Sequence, residues 1–125
     1  MTEMFKSYCR LVRKQSSSYS PLVKAAVIAI DSDPSAELSL STLANHLNVS
    51  SVYLSTIFHR ETGKTVTEYI NDRRISYAKH LLKTTALQIQ TISLHCGIMD
   101  VHYFSKLFKK KVGKTPSQFR NERTL

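Results

Sequence analysis

Glycine and proline are scarce in this chain, with three of each in 125 residues. So few breakers leave room for long regular segments joined by short polar gaps. No convincing run of alternating polar and apolar residues marks a strand. Two cysteines, Cys9 and Cys96, are too few for a disulfide scaffold and fit a reducing compartment. No apolar run approaches the roughly 18 residues that a bilayer-spanning helix requires. The longest, Ala25 to Ile30, sits inside an amphipathic pattern. The first ten residues lack the apolar core of a signal peptide. A soluble, cytoplasmic protein with no membrane partner is expected. Catalytic signatures are missing too: there is no Gly-rich phosphate loop, no HExxH and no nucleophile elbow. Neither enzyme activity nor a cofactor is expected. His95, Cys96 and His102 lie close in sequence, but their spacing matches no common zinc pattern.

Acidic residues are few as well, nine against eighteen Lys and Arg, which gives a net charge of +9 and a pI near 9.8. A basic domain of this size attracts polyanions through its summed field. Charge alone leaves nucleic acid, an anionic membrane, an acidic protein and simple solubility all open. With 42% hydrophobic residues, the chain has enough apolar material for the core of one domain.

A repeat organises that material. At an offset of 49, Thr42 matches Thr91, Leu43 matches Ile92, His46 matches His95 and Asn48 matches Gly97. The offset then becomes 50, so the second copy holds one extra residue. Ser50 matches Asp100, Tyr53 Tyr103, Leu54 Phe104, Ile57 Leu107, Phe58 Phe108, Gly63 Gly113, and Tyr69 Phe119. Asn48 and Gly97 are the residue types that best tolerate a left-handed backbone, as a sharp turn between helices demands. Ser50 and Asp100 are N-caps for the next helix. Gly63 and Gly113 end those helices. Thr65 with Glu68, and Thr115 with Gln118, form capping boxes, and Pro116 suits a first helical position. Each copy reads as short helix, tight turn, second helix, glycine stop and new capped helix, which is helix-turn-helix architecture.

The predicted fold is all-α: two helix-turn-helix subdomains joined by a long central helix, about seven helices in all. The first unit is expected over about 40–62, the linking helix over 66–83, the second unit over 89–112 and a final helix over 116–122. Ser20-Pro21 opens an earlier helix, with Leu22, Ala26, Ile28 and Ile30 apolar, and Asp33-Pro34 breaks it. Tyr69, Ile70, Ala78, Leu81 and Leu82 form the apolar content of the linking helix. Met4 to Lys14 has weak helical character, and Gln15 to Ser18 reads as a linker.

The segments YLSTIFHRETG, Arg74 with Ala78 and Leu81-Leu82, and GIMDVHYFSKLFKK followed by Gly113 and Pro116 resemble the AraC/XylS type of DNA-binding domain. The resemblance covers roughly residues 21–122, with the domain expected over 20–125. Ile98 stands where the family usually has Phe, and Ser93 where alanine is common. The resemblance implies a bacterial transcription regulator that binds double-stranded promoter DNA. It also implies RNA polymerase as a partner if the protein is an activator. Residues 1–19 would be a linker or the tail of an upstream domain. The fragment alone would be a monomer, and the full-length protein a candidate dimer. One monomer would set its two reading helices in successive major grooves, about 34 Å apart.

A helix in the major groove shows one face to base edges and packs the other on its own domain. With Tyr53, Leu54, Ile57 and Phe58 inside, the resemblance puts Val52, Ser55 and Thr56 on base edges. In the second unit it puts Val101, His102, Ser105 and Lys106 there. The valines suit a thymine methyl, the hydroxyls donate or accept, and Lys106 and His102 suit guanine acceptors. Neither reading face holds Arg, Asn or Gln, so base discrimination should be modest, with backbone contacts and DNA shape contributing much. Phosphate contacts are expected from Ser50, Ser51, Lys64, Lys109, Lys110, Lys111 and Lys114. Asp100, being acidic, caps instead. The rivals are a basic helical protein-interaction module and an RNA-binding one. An RNA binder would show aromatics at its surface, whereas Tyr53, Phe58, Tyr103, Phe104 and Phe108 are placed here on core faces.

Overall fold

A computed structural model describes residues 19–32 and 38–122. The stretch from Met4 to Lys14, the serine linker and the Asp33-Pro34 breaker lie outside these residues. The described residues form seven helices and no strand, the all-α fold expected from the sequence. In chain order these are α1 (Pro21–Ser32), α2 (Leu40–His46), α3 (Ser51–Thr62), α4 (Val66–Thr84), α5 (Ile89–His95), α6 (Val101–Val112) and α7 (Pro116–Asn121). The chain divides into two compact units, Met1–Arg73 and Arg74–Leu125, and the division falls inside α4.

In the first unit, α1 starts where the Val23 amide donates to Ser20 Oγ at 3.4 Å. It buries Val23, Ala26, Val27 and Ile30. Ile28, one of the apolar residues of this helix, is half-exposed. Val23 and Val27 take the core positions because they share the four-residue spacing of Ile30 and Ala26. Ser39 caps α2 in a reciprocal box with Thr42, with Thr42 in the place where Glu or Gln is usual. Leu43, Ala44, Leu54 and Phe58 meet the α1 residues, and Val66, Tyr69 and Ile70 complete the core. Phe58 and Tyr69 pack edge to face, with centroids 5.3 Å apart. Beside them lies a pair with no local sequence signal. Arg73 Nε sits 3.0 Å from the buried carboxylate of Asp31, and Arg73 also donates to Tyr69 Oη at 2.7 Å. Burial and the nearby Asp31 carboxylate raise the Tyr69 pKa, against the pull of Arg73.

The second unit repeats the plan. Ile75, Tyr77, Ala78, Leu81 and Leu82 of α4 are buried, as are Ile92, Cys96, Ile98, Phe104 and Phe108. Phe108 and Phe119 repeat the edge-to-face pair at 5.6 Å. Arg120 donates to the carbonyls of Leu82, Thr85 and Leu87 at 3.2, 3.2 and 2.6 Å, closing the turn after α4. Lys83 reaches the other way, to the carbonyls of Phe119 and Glu122.

The turns between paired helices are the same motif twice. Asn48 has φ +59° and Gly97 φ +81°. Val49 N–H donates to Ala44 O at 3.0 Å, and Ile98 N–H to Ser93 O at 2.9 Å. Asn48 N–H donates to Asn45 O, and Gly97 N–H to Leu94 O. This is the Schellman pattern, with an apolar residue just past the left-handed one. The extra residue of the second copy is Met99, which sits in the turn, 77% exposed.

Candidate nucleic-acid interface

Helices α3 and α6 are the second helices of the two helix-turn-helix repeats and the candidate reading elements. Ser50 Oγ accepts from Tyr53 N–H at 3.1 Å. Asp100 accepts from the amides of His102 and Tyr103 at 2.9 and 3.3 Å. Both caps therefore act as the sequence implies. Each helix then ends in a left-handed glycine, Gly63 at φ +77° and Gly113 at +89°.

Position for position, from 51–60 and from 101–110, the two helices share one burial pattern. Leu54, Phe58, Phe104 and Phe108 are fully buried, while Ile57 and Leu107 are half-buried. Tyr53 and Tyr103 are not core residues. They are 55% and 51% exposed. At 3.6 residues per turn, Tyr53 lies about 100° round the helix from Leu54, beyond the arc that a short helix pair covers. Both tyrosines thus stand beside the expected reading positions, and their exposure also removes the reason given for discounting RNA.

Val52, Thr56, His102 and Lys106 are exposed, whereas Ser55, Val101 and Ser105 are half-buried. Thr56 Oγ1 donates back to Val52 O at 2.8 Å, so its hydroxyl is left to accept. Lys109, Lys110 and Lys111 are exposed, as are Ser50 and Lys64, while Ser51 and Lys114 are half-buried. Lys64 pairs with Asp72 at 2.7 Å, and Lys114 pairs with Glu122. Exposed pairs of this kind are weak and exchange readily. Arg60, exposed in the last turn of α3, was not anticipated. Among the described residues no three His, Cys, Asp or Glu side chains gather as metal ligands, and no helix is long and apolar enough to cross a membrane.

A family profile described as a helix-turn-helix domain matches residues 43–122. The C-terminal domain of AraT, a response regulator from Geobacillus stearothermophilus, is 36% identical with a TM-score of 0.84, covering 87% of this chain and 91% of that one. The chain belongs to the AraC-type helix-turn-helix family. A transcriptional regulator with an AraC-type DNA-binding domain from Chromobacterium violaceum is 28% identical with a TM-score of 0.73, over 80% of this chain and 89% of its own. The arabinose operon regulatory protein of Escherichia coli is 41% identical over 81 residues, which is 65% of this chain and 28% of that protein. The chain spans about a third of the length of the curated relatives it matches.

Within this family fold, the departures at Ser93 and Ile98 have a joint explanation. Ser93 is buried where the first unit has Ala44, and its hydroxyl donates to Ile98 O at 2.6 Å. The polar substitution is satisfied inside the turn, so it is tolerated there. Ile98 itself is buried and serves as the apolar plug. Cys96 is buried next to it, and burial pushes its thiol up to about 12, against a smaller lowering by Arg74. The thiol should therefore resist alkylation in the folded chain near neutral pH and react once denaturant opens the second unit. Mass mapping of labelled peptides would show this, and rapid labelling of native Cys96 would contradict the packing described.

Proposed function

We propose that the chain binds double-stranded DNA in a sequence-dependent way, as the DNA-binding part of a bacterial transcription regulator. The observation that carries this reading is the duplicated helix with one burial pattern: α3 and α6 bury the same positions and offer the same positions outward. The family gives it further support, as do the named roles of the relatives, among them an arabinose operon regulator and a response regulator. In this reading each of α3 and α6 enters a major groove. Val52, Ser55 and Thr56 meet base edges from the first, and Val101, His102, Ser105 and Lys106 from the second. Ser50, Ser51, Lys64, Lys109, Lys110 and Lys114 meet phosphates. If the protein activates transcription, RNA polymerase is a further partner.

The test is a titration onto duplex from the gene's own upstream region, against mixed-sequence duplex, at several salt concentrations. Tighter binding to the upstream duplex, with affinity falling steeply as salt rises, is the expected result. Lys106→Ala should cut the preference between the two duplexes by about 1–3 kcal/mol. The exposed Tyr53 and Tyr103 favour a second reading, since surface aromatics stack unpaired bases. Single-stranded RNA therefore belongs in the same titration. Binding it more tightly than either duplex would displace the duplex reading.

A further inference from the structure

Matching positions of α3 and α6 differ in charge, although 51–60 and 101–110 share the same burial. Val52 faces outward where α6 has His102, Thr56 where it has Lys106, and His59 where it has Lys109. Arg60 and Glu61 stand where α6 has Lys110 and Lys111. On α3 these charges cancel, and Glu61 is also engaged as acceptor for the Ser20 amide at 2.8 Å. On α6 the same stretch carries four lysines.

The imbalance extends through the units. The described residues of the first unit hold four Lys and Arg against four Asp and Glu, a net of zero. Two of those cations, Lys64 and Arg73, already face Asp72 and Asp31. Residues 74–122 hold nine Lys and Arg against Asp100 and Glu122 alone, a net of +7. Some of the nine are occupied, since Arg120 and Lys83 donate to carbonyls and Lys114 meets Glu122. Lys109 and Lys110 make no ion pair among the described residues and lie exposed at the end of α6.

Each lysine that neutralises a phosphate releases condensed counterions, and this term is blind to base sequence. We propose that the two units divide the work. The second unit is the electrostatic anchor that takes the backbone of any duplex, through Lys109 and Lys110 above all. The first unit reads with uncharged contacts from α3, and Lys64 is its one cationic contribution to the salt dependence. This division rests on the duplex-binding reading above.

The test compares matched variants of the full chain, Lys109→Gln with Lys110→Gln against His59→Gln with Arg60→Gln. Each binds mixed-sequence duplex across a salt series, and thermal melts confirm that both fold. The slope of log affinity against log salt should flatten by about 2 in the α6 variant and by less than about 0.5 in the α3 variant. Equal flattening in both, or flattening of about 0.9 or more in the α3 variant, would overturn the division while leaving duplex binding intact. If the unaltered chain binds no duplex even at low salt, the duplex reading itself fails, and the division fails with it.

Discussion

Phe108→Ala is expected to lower the stability of the second unit by about 4 kcal/mol. Phe108 is fully buried between Phe104, at 5.9 Å between ring centroids, and Phe119, at 5.6 Å. Truncation loses the transfer energy of the ring and opens a cavity that the surrounding helices fill only in part. Small domains hold only about 5–15 kcal/mol in total, so the unit should be substantially unfolded at modest temperature. Circular dichroism melts, with amide exchange resolved by residue, would show protection lost across α5, α6 and α7. Phe108→Leu should recover much of it. A melting point for the alanine variant within a few degrees of the unaltered chain would refute the packing.

Arg120→Ala should cost the same unit about 3 kcal/mol, because charged donors to backbone carbonyls are among the stronger hydrogen bonds and their loss strands the acceptors. One guanidinium here serves three carbonyls in the segment between Leu82 and Leu87. Arg120→Lys should rescue little, since a single ammonium cannot reproduce the planar fork. Urea titration of the three proteins gives the comparison, and faster Cys96 labelling in the two variants gives an independent readout of the same opening. A lysine variant as stable as the parent would show that charge, rather than the fork, closes the turn.

Local punctuation made much of the fold legible in the sequence. Ser50, Asp100 and Thr115 are caps, Asn48 and Gly97 are left-handed, and Gly63 and Gly113 are stops. Each acts within a few residues of its own position, so short-range rules suffice. The repeat then supplied what one copy could not, by aligning Phe58 with Phe108 and Tyr69 with Phe119, which pair in the same geometry. What stayed hidden depends on the width of a buried face or on partners far along the chain. Tyr53 and Tyr103 fit an apolar stripe of i, i+1, i+4, i+5, but a two-turn contact covers a narrower arc than that stripe spans. Ile28 is apolar too, but it lies on the far side of α1 from the face that Val23, Ala26, Val27 and Ile30 bury. Asp31 meets Arg73 across 42 positions, and Arg120 reaches carbonyls 33 to 38 positions back, and no local pattern encodes either. The outward residues of α3 and α6 were legible as a surface, because they are what remains once the core is assigned. Tyr53 and Tyr103 belong to that surface too.

The shared burial pattern of α3 and α6 also bears on how such a chain can change over generations. The residues that hold each helix in place, at 54 and 58 or at 104 and 108, are separate from those that face outward. A substitution at Val52 or His102 can therefore alter the outer surface with almost no penalty to folding, and whole sets of outward residues can be exchanged between the two copies. Duplication of one element, followed by drift confined to its outer face, is enough to give two surfaces as unlike as these from a single packing solution.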